Sequence, residues 1–115
     1  MRRLIKSFGY ALAGIGYTVK TQMNFKIHLT AIVAVLLTGW YFRLDSSEWL
    51  WIILAIGLVL VAELLNTAIE LLVDLVSPGF NAQAGKVKDI AAGAVLVAAV
   101  IAVCIGAVIF IPKFV

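Results

Sequence analysis

Apolar residues fill three stretches of the chain, and polar punctuation separates them. The first stretch runs from Ile27 to Phe42, between Lys26 and Arg43. The second starts at Trp49 and continues to about Val76. The third runs from Ile90 to Ile111 without a single charge. A helix that crosses ~30 Å of hydrocarbon needs roughly 20 apolar residues. The third stretch meets that requirement, and the second is long enough to project beyond a bilayer. The first is short, but Lys26 and Arg43 can carry their charges to the two interfaces on flexible stems.

The pattern predicts helices over about 25–43, 48–76 and 89–111. Trp40, Tyr41, Trp49 and Trp51 flank the first connection, where an aromatic belt sits. Asp45-Ser46-Ser47-Glu48 is a tight polar turn, with Ser46 or Ser47 as the expected cap of the second span. Ser77-Pro78-Gly79 stops that span, because Pro78 lacks a donor and restricts the residue before it. The second loop is read as Phe80 to Asp89, and Pro112 is expected to close the third span.

Ahead of the spans, residues 1–24 form a surface region. Arg2 to Val19 resembles an amphipathic interfacial helix, with Arg3 and Lys6 reaching headgroups. A signal peptide does not fit, because Gly9, Tyr10, Gly14, Gly16 and Tyr17 interrupt the apolar run. The expected fold is an all-α membrane protein: an amphipathic surface helix and three transmembrane helices in a single domain over residues 1–115.

Composition agrees. Hydrophobic residues make up 64% of the chain and charged residues 13%, against about 45–50% and 25% in soluble domains. So much apolar surface points to lipid rather than to a small soluble core. The net charge of +3 is read as topology and headgroup contact, not as a nucleic-acid surface. Arg2, Arg3, Lys6, Lys20, Lys26, Lys86 and Lys88 fall on one side of the three spans, and only Arg43 and Lys113 on the other. The positive-inside rule then puts the N-terminus in the cytoplasm. One cysteine, Cys104, excludes an internal disulfide and is read as packing.

The second span carries the chemistry. Glu63, Asn66, Glu70 and Asp74 fall at about 0°, −60°, −20° and +20° around a helix, on one face. The stripe is about 16 Å long. An acid at mid-span costs roughly 2.5–3.5 kcal/mol on insertion scales, so the stripe needs cations, partner helices or a wet cleft to offset it. Three readings suit it: polar glue between helices, a proton or cation pathway, and a metal-dependent site at the cytoplasmic surface. Lys86, Lys88 and Asp89 lie at the start of the third span. Acids that hold a divalent ion, beside lysines that meet phosphate, suit a nucleotide triphosphate. The simpler account of Lys86 and Lys88 is topology. No phosphate-binding loop of the Gly-x-x-x-x-Gly-Lys-[Ser/Thr] type and no protein-kinase catalytic loop is present, so a nucleotide site has another design.

Two blocks carry a resemblance. Ala62-Glu63-Leu64-Leu65-Asn66-Thr67-Ala68-Ile69-Glu70-Leu71-Leu72-Val73-Asp74 and Lys88-Asp89-Ile90-Ala91-Ala92-Gly93-Ala94-Val95-Leu96, with the spacing between them, resemble the signatures of the small bacterial membrane kinases. These are the prokaryotic diacylglycerol kinase and undecaprenol kinase family. The resemblance implies a homotrimer with sites near the cytoplasmic interface. It also implies transfer of the γ-phosphate of ATP, with Mg²⁺, to the hydroxyl of a membrane lipid alcohol.

By the same resemblance, Glu63 matches the general base and Glu70 a metal-binding carboxylate. Asn66, Asp74, Lys88 and Asp89 match the nucleotide site, with Arg3 and Tyr10 reaching nucleotide from the surface helix. Lys26-Ile27-His28 and Ala91-Ala92-Gly93-Ala94 are closer to the undecaprenol kinase branch, which makes undecaprenol the expected acceptor and diacylglycerol the alternative. A small cation- or proton-coupled transporter is the competing class. Gln22 departs from the pattern, because the family has a metal-binding Glu there. An amide oxygen can ligate a hard cation but brings no charge, so weak metal binding and reduced activity are expected. Gly79-Phe80-Asn81 also departs. His28 is read as an interfacial hydrogen-bonder, and Thr30 and Thr38 as bonding back to their own helix.

Overall fold

A computed structural model describes residues 1–115. The chain forms four helices: α1 (Arg2–Thr21), α2 (Met23–Tyr41), α3 (Ser46–Val76) and α4 (Ala82–Phe114). α2, α3 and α4 are each long and apolar enough to cross a membrane. α3 has 31 residues and α4 has 33, or roughly 46 and 50 Å of helix. Both exceed the hydrocarbon thickness, so one end of each reaches past it.

Each junction has a local cause. Gln22 alone turns α1 into α2. Its backbone is extended (φ −107°, ψ 112°), its N–H donates to Thr18 O, and its carbonyl accepts from Lys26 N. It therefore ends one helix and begins the next. The α2–α3 turn is a Schellman motif. Arg43 takes the left-handed conformation (φ 55°), Arg43 N–H donates to Trp40 O, and Leu44 N–H donates to Gly39 O.

Asp45, not Ser46 or Ser47, caps α3. Asp45 Oδ1 accepts from Glu48 N–H at 2.8 Å and Glu48 Oε1 accepts from Asp45 N–H at 3.1 Å. Aspartate is at least as good a cap as serine and also places negative charge against the positive end of the helix dipole.

The loop expected through Asp89 is much shorter. Asn81 Oδ1 accepts from Gln83 N and Ala84 N, and the cap starts α4 at Ala82. Lys86, Lys88 and Asp89 are therefore helical. Most residues of this segment are good helix formers, so one internal glycine is tolerated. Pro112 does not close the span, because α4 continues to Phe114. In the final turn the missing proline N–H forfeits a single bond.

α3 and α4 form the main helix pair, α2 leans on α3, and α1 touches α2 and α3. Ala91 and Ala98 are buried on α4, where small side chains let two backbones approach. The α2 and α4 backbones do not meet. They touch through rings at one end, where Phe42 lies 6.4 Å from Phe110 and 4.8 Å from Phe114. Leu44, Ile52 and Ile109 form the apolar core at that same end, and Lys113 pairs with Glu48 there at 3.0 Å. Only 13 of 115 residues are buried, so most apolar surface faces outward, as in a protein surrounded by lipid or by other helices.

Candidate active site

The stripe on α3 runs from sealed to open. Glu63, Asn66 and Thr67 are 1%, 6% and 2% exposed. Glu70 is half-buried and Asp74 is exposed. Buried apolar positions Ile52, Ala55 and Val59 precede them on the same helix. The helix thus carries its packed face from the turn end toward a polar end, with Glu63 at the change.

The polar residues are not sealed by pairing with one another. Glu63 Oε2, Asn66 Oδ1 and Thr67 Oγ1 are buried and have no hydrogen-bond partner. An unsatisfied buried polar atom costs about 1–3 kcal/mol, and folded proteins keep few of them. Helix glue should satisfy its own donors and acceptors. The cluster instead presents free lone pairs, which is what a site that receives a proton or a polar ligand requires.

Three contacts organise the stripe. His28 Nε2 on α2 stands 3.7 Å from Glu63 Oε2, within ion-pair reach but beyond a hydrogen bond. Asn66 Nδ2 donates to Glu70 Oε1 at 3.4 Å, one turn along. Lys88 Nζ on α4 donates to Asp74 Oδ1 at 2.5 Å. The last contact joins the two sequence blocks in space, with Asp74 exposed and Lys88 half-buried.

The other expected site residues make no ion pair or hydrogen bond with the stripe within one chain. Arg3 and Tyr10 are exposed on α1, and Asp89 is exposed beside Lys88. None of the three makes an ion pair. Gln22 is half-buried at the α1–α2 elbow. Its side-chain nitrogen lies 3.5 Å from Thr21 Oγ1, and no hydrogen bond links it to Glu70.

No group of three or more His, Cys, Asp or Glu side chains converges on a point that could hold a metal ion. The two donors expected from the sequence, Glu70 and Gln22, offer one carboxylate and one amide oxygen. That fits Mg²⁺ brought in with a triphosphate, because this ion takes one or two carboxylates and fills the rest with phosphate oxygens and water. It does not fit a metal held by the protein alone.

Two residues of the cluster were not singled out as site residues from the sequence. Thr67 sits one turn beyond Glu63, at about +40° on the same wheel, so the stripe's own periodicity marks it. His28 carries no such mark, because its approach to Glu63 depends on how α2 crosses α3. Thr30 and Thr38 behave as expected, donating to Lys26 O and Ala34 O.

Known proteins place the chain. Residues 9–110 match the family model described as Prokaryotic diacylglycerol kinase. The chain is 47% identical over 113 residues to an undecaprenol kinase of Bacillus subtilis, covering 98% of this chain and 92% of that one. It is 43% identical over 110 residues to a diacylglycerol kinase of Synechocystis, covering 95% of this chain and 63% of that one. Against a diacylglycerol kinase of Escherichia coli the identity is 29% over 101 residues, covering 88% and 83%. Both sequence blocks lie inside the matched region, and the chain belongs to the prokaryotic diacylglycerol kinase family.

Proposed function

We propose that this chain is a multi-pass membrane lipid kinase that moves the γ-phosphate of ATP to the hydroxyl of undecaprenol, with diacylglycerol as the alternative acceptor. The observation that carries the reading is the stripe's gradient. A buried carboxylate with an unpartnered oxygen, Glu63, lies on the same helix face as the exposed Asp74–Lys88 pair. At ~1.5 Å per residue, Glu63 and Asp74 are about 16 Å apart along α3. A lipid hydroxyl reaches the buried end from the bilayer, and a nucleotide reaches the open end from water. The undecaprenol preference is supported by the 47% identity to a protein of that name.

The residues take these roles. Glu63 accepts the proton of the acceptor hydroxyl as the hydroxyl oxygen bonds to the γ-phosphorus and the bond from that phosphorus to the β,γ-bridging oxygen breaks, releasing ADP. Asn66 holds Glu70 in place through its amide. Glu70, with weak help from Gln22, would hold Mg²⁺ that arrives on the triphosphate. When bound, Mg²⁺ neutralises negative charge on the phosphate oxygens. Lys88 moves from Asp74 onto the transferring phosphates, where phosphoryl transfer chiefly needs positioning and charge neutralisation. Asp74 and Asp89 complete the nucleotide site, and Arg3 and Tyr10 reach it from α1. Neither of these last two makes an ion pair with the stripe in one chain, which suits a homotrimer whose sites draw on neighbouring subunits.

In this reading α1 lies amphipathically on the cytoplasmic face of a bacterial cell membrane, residues 1–115 form one domain, and the N-terminus is cytoplasmic. The direct test is product identification with purified protein, [γ-³²P]ATP, Mg²⁺ and a panel of lipid alcohols. Labelled undecaprenyl phosphate is the expected product. Ion flux in liposomes without ATP consumption would overturn the assignment in favour of a transporter.

A further inference from the structure

The imidazole of His28 is the only polar side chain lining an otherwise apolar cavity of about 350 Å³ between α2, α3 and α4. Around it the walls are formed by residues such as Ile32, Val59 and Val103. The ion-pairing group that faces it is Glu63, whose Oε2 lies 3.7 Å from Nε2 and has no hydrogen-bond partner of its own. A polar group on an apolar wall gains most from the one partner within reach, because no water competes strongly for it. The separation exceeds a hydrogen bond by a few tenths of an ångström, which one small rotation of either side chain closes.

We infer that His28 is a positioning residue for this reaction. Its Nε2 holds one oxygen of the Glu63 carboxylate and leaves the other directed at the acceptor hydroxyl. The inference rests on the reading of Glu63 as the base. It assigns His28 no contact with substrate and no covalent step. Without the imidazole, the carboxylate of a three-torsion side chain samples several orientations, and only some of these reach the hydroxyl. The loss falls on turnover. ATP binding lies further along α3 and is not touched.

His28→Leu and His28→Gln separate this role from a structural one. Leucine suits the apolar wall but has no donor, whereas the glutamine amide keeps an N–H near the Nε2 position. With undecaprenol as acceptor, His28→Leu lowers kcat about tenfold or more, the size expected for losing a hydrogen bond to a charged group. KM for ATP stays within about twofold, and His28→Gln recovers most of the lost turnover. A role in packing predicts the reverse order, with leucine the better replacement and thermal unfolding following the same order.

Wild-type kcat in His28→Leu overturns the inference, and so does a His28→Gln variant as slow as His28→Leu. Failure of the underlying reading looks different. An inactive wild-type chain on every lipid alcohol, or a fully active Glu63→Gln, removes the base assignment itself.

Discussion

Lys88 on α4 and Asp74 on α3 are joined by a hydrogen bond of 2.5 Å, although Asp74 is exposed and Lys88 only half-buried. Exposed ion pairs contribute about 0–1 kcal/mol to stability. The pair therefore does little for the fold and leaves the ammonium at the open end of the stripe. Lys88→Ala should lower kcat/KM for ATP by about 100-fold, as expected when a charge aimed at the transferring phosphate is removed. The unfolding temperature should shift by only a few degrees at most. Unchanged kinetics would remove Lys88 from the site.

Glu63→Gln tests the base. The substitution keeps the shape and removes the proton acceptor, so turnover should fall at least about 100-fold. Binding of MgATP, measured by calorimetry, should persist. Because a buried, unpartnered carboxylate oxygen is costly, the variant should also unfold at a higher temperature than the parent. Retained turnover would exclude Glu63 as the base.

Gln22→Glu tests the departure at the α1–α2 elbow. The new carboxylate supplies the negative charge that the amide lacks. The Mg²⁺ concentration for half-maximal activity should fall about tenfold, because ligand charge sets affinity for hard cations, and kcat should rise. Identical Mg²⁺ titrations of the two proteins would show that this position takes no part in metal binding.

Gly39→Ala tests the α2–α3 turn. A Cβ there would lie 2.8 Å from the Trp49 ring and 2.9 Å from Leu44 Cδ1. Leu44 belongs to the apolar core and Trp49 packs against it, so a shift of either side chain disturbs that core. The variant should lose about 1–3 kcal/mol of stability. Per folded molecule, its KM for ATP should be unchanged. A variant as stable as the parent would show that the ring moves freely.

Much of this was legible in the residues. Continuous apolar runs locate all three spans, and helical periodicity alone puts Glu63, Asn66, Glu70 and Asp74 on one face. Element ends are less legible, because competing caps decide them. Asp45 displaced the serines beside it, and Asn81 drew the segment before Ile90 into helix. Contacts between helices were not legible, because a sequence contains no crossing angle. The approach of His28 to Glu63 and the meeting of Lys88 with Asp74 both depend on such angles. Thr67 is legible too, since the stripe's own periodicity puts it on the same face.

The hairpin turn at Arg43 has an effect far from where it lies. Asp45 and Arg43 fix where α2 stops and α3 starts. His28 then lies about 20 Å back along α2 and Glu63 about 26 Å forward along α3, counting ~1.5 Å per residue. The turn thus calibrates two arms against each other. One residue inserted in either arm would slide its tip by ~1.5 Å and swing it by ~100°, uncoupling imidazole from carboxylate although the apolar run would still be long enough to span a bilayer.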